Sequence, residues 1–355
     1  MKMFAYVGCR TTRERNARGK GIGIYLVDSN TTAWTLVETH PALENPSFLA
    51  LNAAQTVLYA IHGDGSQASA YRIDSETGRL TDLGAVSCEG RNPVHLALSA
   101  DGEWLAIANY ATGSVTRLPI GADGALGHAE RLVQLPGEPG PHPKEQGSSH
   151  PHQIARYATQ SSDTNWHIVP DKGLDTVFVV RWHDEGEPDV VAHRWMPGSG
   201  PRHAAFHPVL PLVYVANELD STMTTWEFDA ESGQMTALET IPLLPDSFDG
   251  ESSAAGIVIG PDGGALYVSN RGHDSVTAIA LDPFNGMPTL SGWVATNGDF
   301  PRFICLDPDG RRLYVANERS DTIVEFARAA DGKGLEATGQ VIKTGSPVCA
   351  VFKTR

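Results

Sequence analysis

The sequence is poor in the features that usually announce a function. Its 355 residues include only four cysteines, Cys9, Cys88, Cys305 and Cys349, and none forms a Cys-x-x-Cys pair. That argues against zinc-ribbon and thioredoxin-type motifs and leaves buried, reduced thiols as the plain reading. Basic residues are scarce, 27 Lys and Arg against 42 Asp and Glu, for a net charge of −15. A phosphate backbone wants a basic surface, so nucleic acid is not expected as a partner. No apolar run reaches 18 residues, and "MKMFAYVGCR" carries no signal-type apolar core. A cytoplasmic protein with no membrane partner is therefore expected. There is no Gly-Lys-Ser/Thr loop and no Gly-x-Ser-x-Gly elbow. "GPDGG" and "DPDGR" are hairpin turns rather than calcium loops. Asp, Glu and His do not gather at ligand spacing, so no metal is expected. Apolar residues never keep helical spacing for long.

What the chain does have is a repeat. "NPSFLALNAAQTVLYAIHGDGSQASAYRID" (45–74), "NPVHLALSADGEWLAIANYATGSVTRLPI" (92–120) and "GPRHAAFHPVLPLVYVANELDSTMTTWEFD" (200–229) share one layout. So do "SAAGIVIGPDGGALYVSNRGHDSVTAIALD" (253–282) and "FPRFICLDPDGRRLYVANERSDTIVEFARA" (300–329), with a degenerate copy at 150–182. Each has an apolar strand, a turn, a second strand of the Leu-Tyr-Val-Ala-Asn kind, a polar turn and a third strand. Registered on the opening position, Pro46, Pro93, Pro151, Pro201, Ala254, Pro301 and Pro347, the spacings are 47, 58, 50, 53, 47 and 46. A period near 50 built of short strands is a propeller period. The last copy is a single strand, "SPVCAVF" (346–352), and "FAYVG" (4–8) with "GIGIYLVD" (21–28) supplies the strands it lacks. The expected fold is an all-β, seven-bladed β-propeller over 1–355, a single domain closed by N- and C-terminal strands sharing one blade. Closure also removes the open sheet edges that an array would leave.

The first strand of each repeat should line the central channel. The residue after each registering position then sits near one mouth: Ser47, Val94, His152, Arg202, Ala255, Arg302 and Val348. A second set follows the asparagine of the second strand: Gly63, Tyr110, Asp171, Glu218, Arg271 and Glu318. Function on repeat scaffolds collects at such variable ends. Arginine is seldom buried without a partner, and several cations at one level repel each other unless an anion joins them. Arg202, Arg271 and Arg302 are thus anion-binding candidates, and His152 and Glu218 acid–base candidates. Each has a plainer reading. A lone histidine is usually structural, Glu218 could be a solvated turn acid like Glu318, and the arginines could merely fasten blades together. Two features favour function at His152. It follows the long Pro-, Gly- and Ser-rich loop "GEPGPHPKEQGSSHPHQ" (137–153), and loops of that length are often functional. Its ordinary pKa also suits proton transfer near neutrality.

The motifs "ENPSFLAL", "ANYATGSVT", "SHPHQ", "PDKGLD", "GPRHAAFHP", "VANELDSTM", "SNRGHDSV" and "SPVCAVF" resemble the seven-bladed lactonase family over essentially the whole chain. That family includes the propeller type of 6-phosphogluconolactonase and the carboxy-cis,cis-muconate cyclases. The resemblance implies a cofactor-free enzyme acting on a small anionic lactone or carboxylate. It puts His152 and Glu218 in catalytic roles and Arg202 and Arg271 in substrate binding. The alternatives are ring closure of an unsaturated diacid, and a non-catalytic binding propeller with a flat ring and no deep polar pocket. Two departures stand out. Lys144-Glu145-Gln146 places Glu145 where relatives often have arginine, and "TQSSDTNWH" replaces the usual Pro-Asp-Gly turn in the third repeat.

Overall fold

Each repeat folds as one four-stranded antiparallel sheet, with a second strand buried along nearly its whole length and a more exposed outer strand. The computed structural model describes residues 2–28, 30–159, 162–329 and 334–354. Blade one holds β1 (Met3–Cys9), β2 (Ile22–Val27) and β3 (Trp34–His40), together with the last strand of the chain. Blade two is β4 (Pro46–Leu51), β5 (Val57–His62), β6 (Gln67–Ile73) and β7 (Leu80–Ser87). Blade three is β8 (Pro93–Leu98), β9 (Trp104–Asn109), β10 (Ser114–Pro119) and β11 (Arg131–Gln134). Blade four is β12 (Ala155–Thr159), β13 (Ser162–Asp171), β14 (Thr176–Arg181) and β15 (Asp189–Arg194). Blade five is β16 (Pro201–Phe206), β17 (Leu212–Asn217), β18 (Thr222–Phe228) and β19 (Met235–Pro242). Blade six is β20 (Ser253–Ile259), β21 (Ala265–Arg271), β22 (Ser275–Leu281) and β23 (Pro288–Ala295). Blade seven is β24 (Pro301–Leu306), β25 (Arg312–Asn317), β26 (Thr322–Arg328) and β27 (Leu335–Lys343). The final strand, β28 (Pro347–Lys353), pairs antiparallel with β1 from Phe4↔Lys353 to Gly8↔Cys349. The expected seven-bladed ring with a shared terminal blade is therefore present. No helix among the described residues is long and apolar enough to cross a membrane.

The first strands of neighbouring blades pack on one another around the axis, as β4 does on β8 and β24 on β28. One apolar cluster fills each blade-to-blade interface. Phe4, Tyr6, Leu58 and Tyr71 join blades one and two, and Ala5, Val7, Tyr314 and Ile342 join blades seven and one. The recurring tyrosine has a second job. Tyr6 donates its hydroxyl to Gly78 O at 2.8 Å and Tyr214 to Gly286 O at 2.7 Å, each on the following blade. A buried large side chain is worth about 1.5–3 kcal/mol and such a bond about 1 kcal/mol. The packing therefore holds the ring together, and the hydroxyls set its register.

A recurring asparagine closes blades three, five and six at the mouth. Asn109 Nδ2 donates to Thr116 Oγ1 at 2.9 Å, Asn217 Nδ2 to Thr222 Oγ1 at 2.8 Å, and Asn270 Nδ2 to Thr277 Oγ1 at 2.8 Å. In these blades it ties the second strand to the third, while its successor is free to differ.

Blade four departs from the pattern. Pro151 meets Asp171 only through an isolated bridge, and the inner strand β12 starts later, at Ala155. The turn tip at 160–161, within "TQSSDTNWH", lies outside the described residues.

Candidate active site

One backbone rule sets the mouth of the channel. The registering proline pairs with the end of the second strand, as in Pro46↔His62, Pro93↔Asn109, Pro201↔Asn217 and Pro301↔Asn317. The next residue then donates its N–H to the carbonyl just before the proline: Gly63 to Asn45, Tyr110 to Asn92, Glu218 to Gly200, Glu318 to Phe300. Two further residues obey this rule. Arg10 N–H reaches Ser346 O, with Cys9 paired to Pro347, and Lys172 N–H reaches His150 O, with Asp171 bridged to Pro151. The sequence register thus needs a correction in blade four. Asp171 takes the asparagine's place, and Lys172 is the ring residue. Blade one contributes Arg10, which sequence reasoning missed.

Asp171 is structural. It is fully buried and accepts from His150 N at 2.8 Å, Gly173 N at 2.9 Å and Leu174 N at 3.0 Å. Burial raises its pKa against these bonds. Gln146 Nε2 donates to Lys172 O at 2.8 Å and to Asp175 Oδ1 at 2.6 Å. Asp171 and Asp175 thereby fasten the 137–153 loop to the end of blade four and set His152 at the mouth.

His152, Arg202, Glu218 and Arg271 come together. The Glu218 carboxylate is only 8% exposed and holds three cations: Arg202 Nε at 2.8 Å, Arg271 Nη2 at 3.1 Å and Lys172 Nζ at 3.3 Å. Arg202 also donates to Ala255 O at 2.7 Å, and Arg271 to Ala254 O at 2.9 Å. Both guanidiniums are therefore oriented from blade six. Burial opposes charge on Glu218, but Arg271, Lys172, Arg202 and Arg302 overcome it and hold the carboxyl well below its usual range. Lys172 follows the same logic. Burial presses its pKa down, while Glu218, Tyr110 and Glu145 (2.7 Å away) raise it. Glu218→Gln would leave the buried Arg202 and Arg271 without their counter-charge, whereas Lys172 keeps Glu145. The expected loss is about 3–5 kcal/mol, read as a lower denaturation midpoint than wild type. An unchanged midpoint would contradict the clamp.

His152 is 6% exposed, and its Nδ1 is buried without a hydrogen-bond partner among the described residues. Its ring lies 5.5 Å from that of Tyr110 and 5.3 Å from that of His203. Burial first, then Arg202, Arg302 and Lys172, push its pKa well below the ordinary histidine value. At neutral pH the imidazole is a free base among cations. Below it, Phe48, Phe303 and His203 help fill the channel, leaving a cavity of about 20 Å³ shared with Arg10, Ser47, Val94, Arg202, Arg302 and Val348. Six of the seven positions registered from sequence line this cavity; Ala255 instead offers its carbonyl to Arg202. Charged and apolar side chains share the lining of the cavity, which has room for about one water. Backbone strain marks the mouth. Phe300 has φ 63°, rarely adopted by a bulky residue, and its ring carries Arg319 at 3.8 Å and Arg271 at 5.3 Å.

Comparison with known proteins bears on this arrangement. The family described as "Lactonase, 7-bladed beta-propeller" matches residues 4–352. The chain belongs to the seven-bladed β-propeller lactonase family. A 6-phosphogluconolactonase of Bacillus subtilis (strain 168) is 31% identical over 99% of this chain and 98% of its own length. The solved structure of a periplasmic gluconolactonase from Pseudomonas aeruginosa superposes with a TM-score of 0.90 at 28% identity, covering 100% of this chain and 99% of that one. A Lactobacillus plantarum protein reaches a TM-score of 0.89 at 29% identity and covers each chain fully. No group of three or more His, Cys, Asp or Glu among the described residues could hold a metal ion.

Proposed function

We propose that the chain hydrolyses an anionic sugar lactone of the 6-phosphogluconolactone kind. The observation that carries this reading is the neutral, buried imidazole of His152 set beside guanidiniums that Glu218 already orients. His152 draws a proton from water, and the water oxygen bonds to the lactone carbonyl carbon. The carbonyl electron pair moves onto oxygen, where Arg202 and Arg271 stabilise it, as pre-oriented donors do for developing oxyanions. Collapse of the tetrahedral intermediate breaks the bond to the ring oxygen, which takes the proton back from His152 and leaves as a hydroxyl. The product is the open hydroxy acid, which ionises and releases one proton. Glu218 stays ionised throughout and positions the two arginines; proton transfer falls to His152. The reading makes the protein cytoplasmic and its partner a small-molecule substrate, with no cofactor.

A pH-indicator assay over phosphorylated and plain aldonolactones, with a muconate absorbance assay beside it, tests the reading. Proton release with a phosphorylated lactone is expected. Loss of diene absorbance without lactone hydrolysis would replace the reading with ring closure, and silence in both assays would leave a binding propeller. Arg202→Ala should lower kcat/KM for the lactone at least about tenfold, the scale of a lost charged hydrogen bond. Unchanged KM and kcat would remove Arg202 from the site.

A further inference from the structure

Resting on the lactonase reading above, the geometry points to a second anion subsite. We propose that Arg10 and Arg302 bind the distal phosphate of the substrate, in a recess between blades seven and one. The recess has a volume of about 640 Å³ and is also lined by Arg15, Phe300, Glu318 and Arg319, among others. Arg10 and Arg302 are the two residues it shares with the small cavity that holds His152 and Arg202. They form the wall between the reacting centre and the recess. A lactone ring over His152 would send its far end past both guanidiniums.

The two side chains are loosely held. Arg10 is 4% exposed, its Nη1 is buried without a hydrogen-bond partner among the described residues, and its nearest carboxylate oxygen, on Asp64, is 3.7 Å away. Asp64 is engaged elsewhere, accepting from Arg15 Nε at 2.8 Å and Asn45 Nδ2 at 3.1 Å. Arg302 faces Glu318 at a loose 3.8 Å. Each guanidinium carries five N–H donors in a planar fork that matches phosphate in two-point fashion. By contrast, Arg202 and Arg271 are already held by Glu218 and by backbone carbonyls. What sets Arg10 and Arg302 apart is that neither has a carboxylate oxygen closer than 3.7 Å, so their charge is the less neutralised. The fold makes room for this. A Cβ on Gly63 would collide with Arg10 Nη1, so the glycine that follows the second strand of blade two lets the guanidinium of blade one lie across the mouth.

The test compares Arg10→Gln and Arg302→Gln with wild type on 6-phosphoglucono-δ-lactone and on glucono-δ-lactone. Melting curves in inorganic phosphate, against chloride at equal ionic strength, are run beside the kinetics. Arg302 is the more exposed of the two, so its variant keeps the test open if Arg10→Gln does not fold. The ratio of kcat/KM for phosphorylated over plain lactone should fall about 10- to 100-fold in each variant. Phosphate should raise the melting temperature of wild type and not of the variants. A ratio that stays put, or a phosphate shift that survives both substitutions, overturns the subsite even if lactones are hydrolysed. A phosphate shift lost in both variants with no lactone turned over would uphold the anion site and overturn the lactonase reading instead. A phosphate shift lost in both variants with the substrate ratio unmoved would mean a free-anion site and would overturn the assignment to substrate.

Discussion

Replacing His152 by Asn should cut kcat on a confirmed lactone by about 10²- to 10⁴-fold and leave KM nearly in place. The asparagine keeps a polar group at the mouth but cannot accept the proton of the attacking water. Binding belongs to the guanidiniums, whose positions are set by Glu218 and by the Ala254 and Ala255 carbonyls. The loss should therefore fall on the chemical step. The wild-type pH profile carries the same signature. A general base must be unprotonated, and burial with three nearby cations holds the His152 pKa well below 6.5. On an unphosphorylated lactone kcat/KM should thus stay level as pH falls through 6.5, where an ordinary histidine base would already have lost half its activity. A midpoint at or above 6.5, or a His152→Asn variant of wild-type kcat, would take proton transfer away from this residue.

The folded protein should lose stability steeply in mild acid. His62, His95, His152, His167 and His203 are all buried, and burial is the leading cause that lowers the pKa of each, to about 3 for His95 and about 4 for His167. Their folded values lie below the unfolded 6.5, so in between the unfolded chain binds more protons and acid favours it. Above about pH 7 both states are neutral at these sites and the dependence vanishes. Below 6.5 each histidine costs at most about 1.4 kcal/mol per pH unit, until its folded pKa is reached. Five acting together would dominate the stability of a domain of ordinary size. Glu218 adds to the loss lower down. Its depressed pKa stabilises the fold fully above about 4.5 and progressively less as pH falls further. Calorimetric melting temperatures should be flat above pH 7 and fall sharply between 6.5 and 5. A constant value down to pH 5 would mean that these rings are protonated in the folded state.

The ring was legible in the sequence because its constraints are local and repeated. Proline opens the inner strand, the tyrosine hydroxyl reaches the next blade, and the asparagine amide ties strand to strand; each needs one residue type at one place. Six of the seven register positions line the channel for that reason. The misses came where the pattern was carried by a substitute. In blade four an aspartate stands for the asparagine, because Asp171 must also accept backbone N–H groups from His150 in the 137–153 loop and from Gly173 and Leu174 in its own turn, and this hid Lys172. In blade one the substitute is Cys9, and the proline that pairs with it stands at the far end of the chain, which hid Arg10. "YVGCR" at 6–10 does mirror "YVANE" at 214–218 and "YVSNR" at 267–271, so the signal was there to be aligned. The interactions of Glu218 were not legible, since no periodicity says which of several neighbouring cations a carboxylate will meet.

The pairing of β28 with β1 has a consequence for synthesis. Arg10 leaves the ribosome long before Ser346, whose carbonyl anchors its backbone, and before Pro347, the proline facing Cys9. During translation the circle therefore stays open at one seam, with the edge of β1 unsealed, until all seven blades have emerged. The ring of side chains at the mouth is thus completed in a single late step, when that seam is zipped.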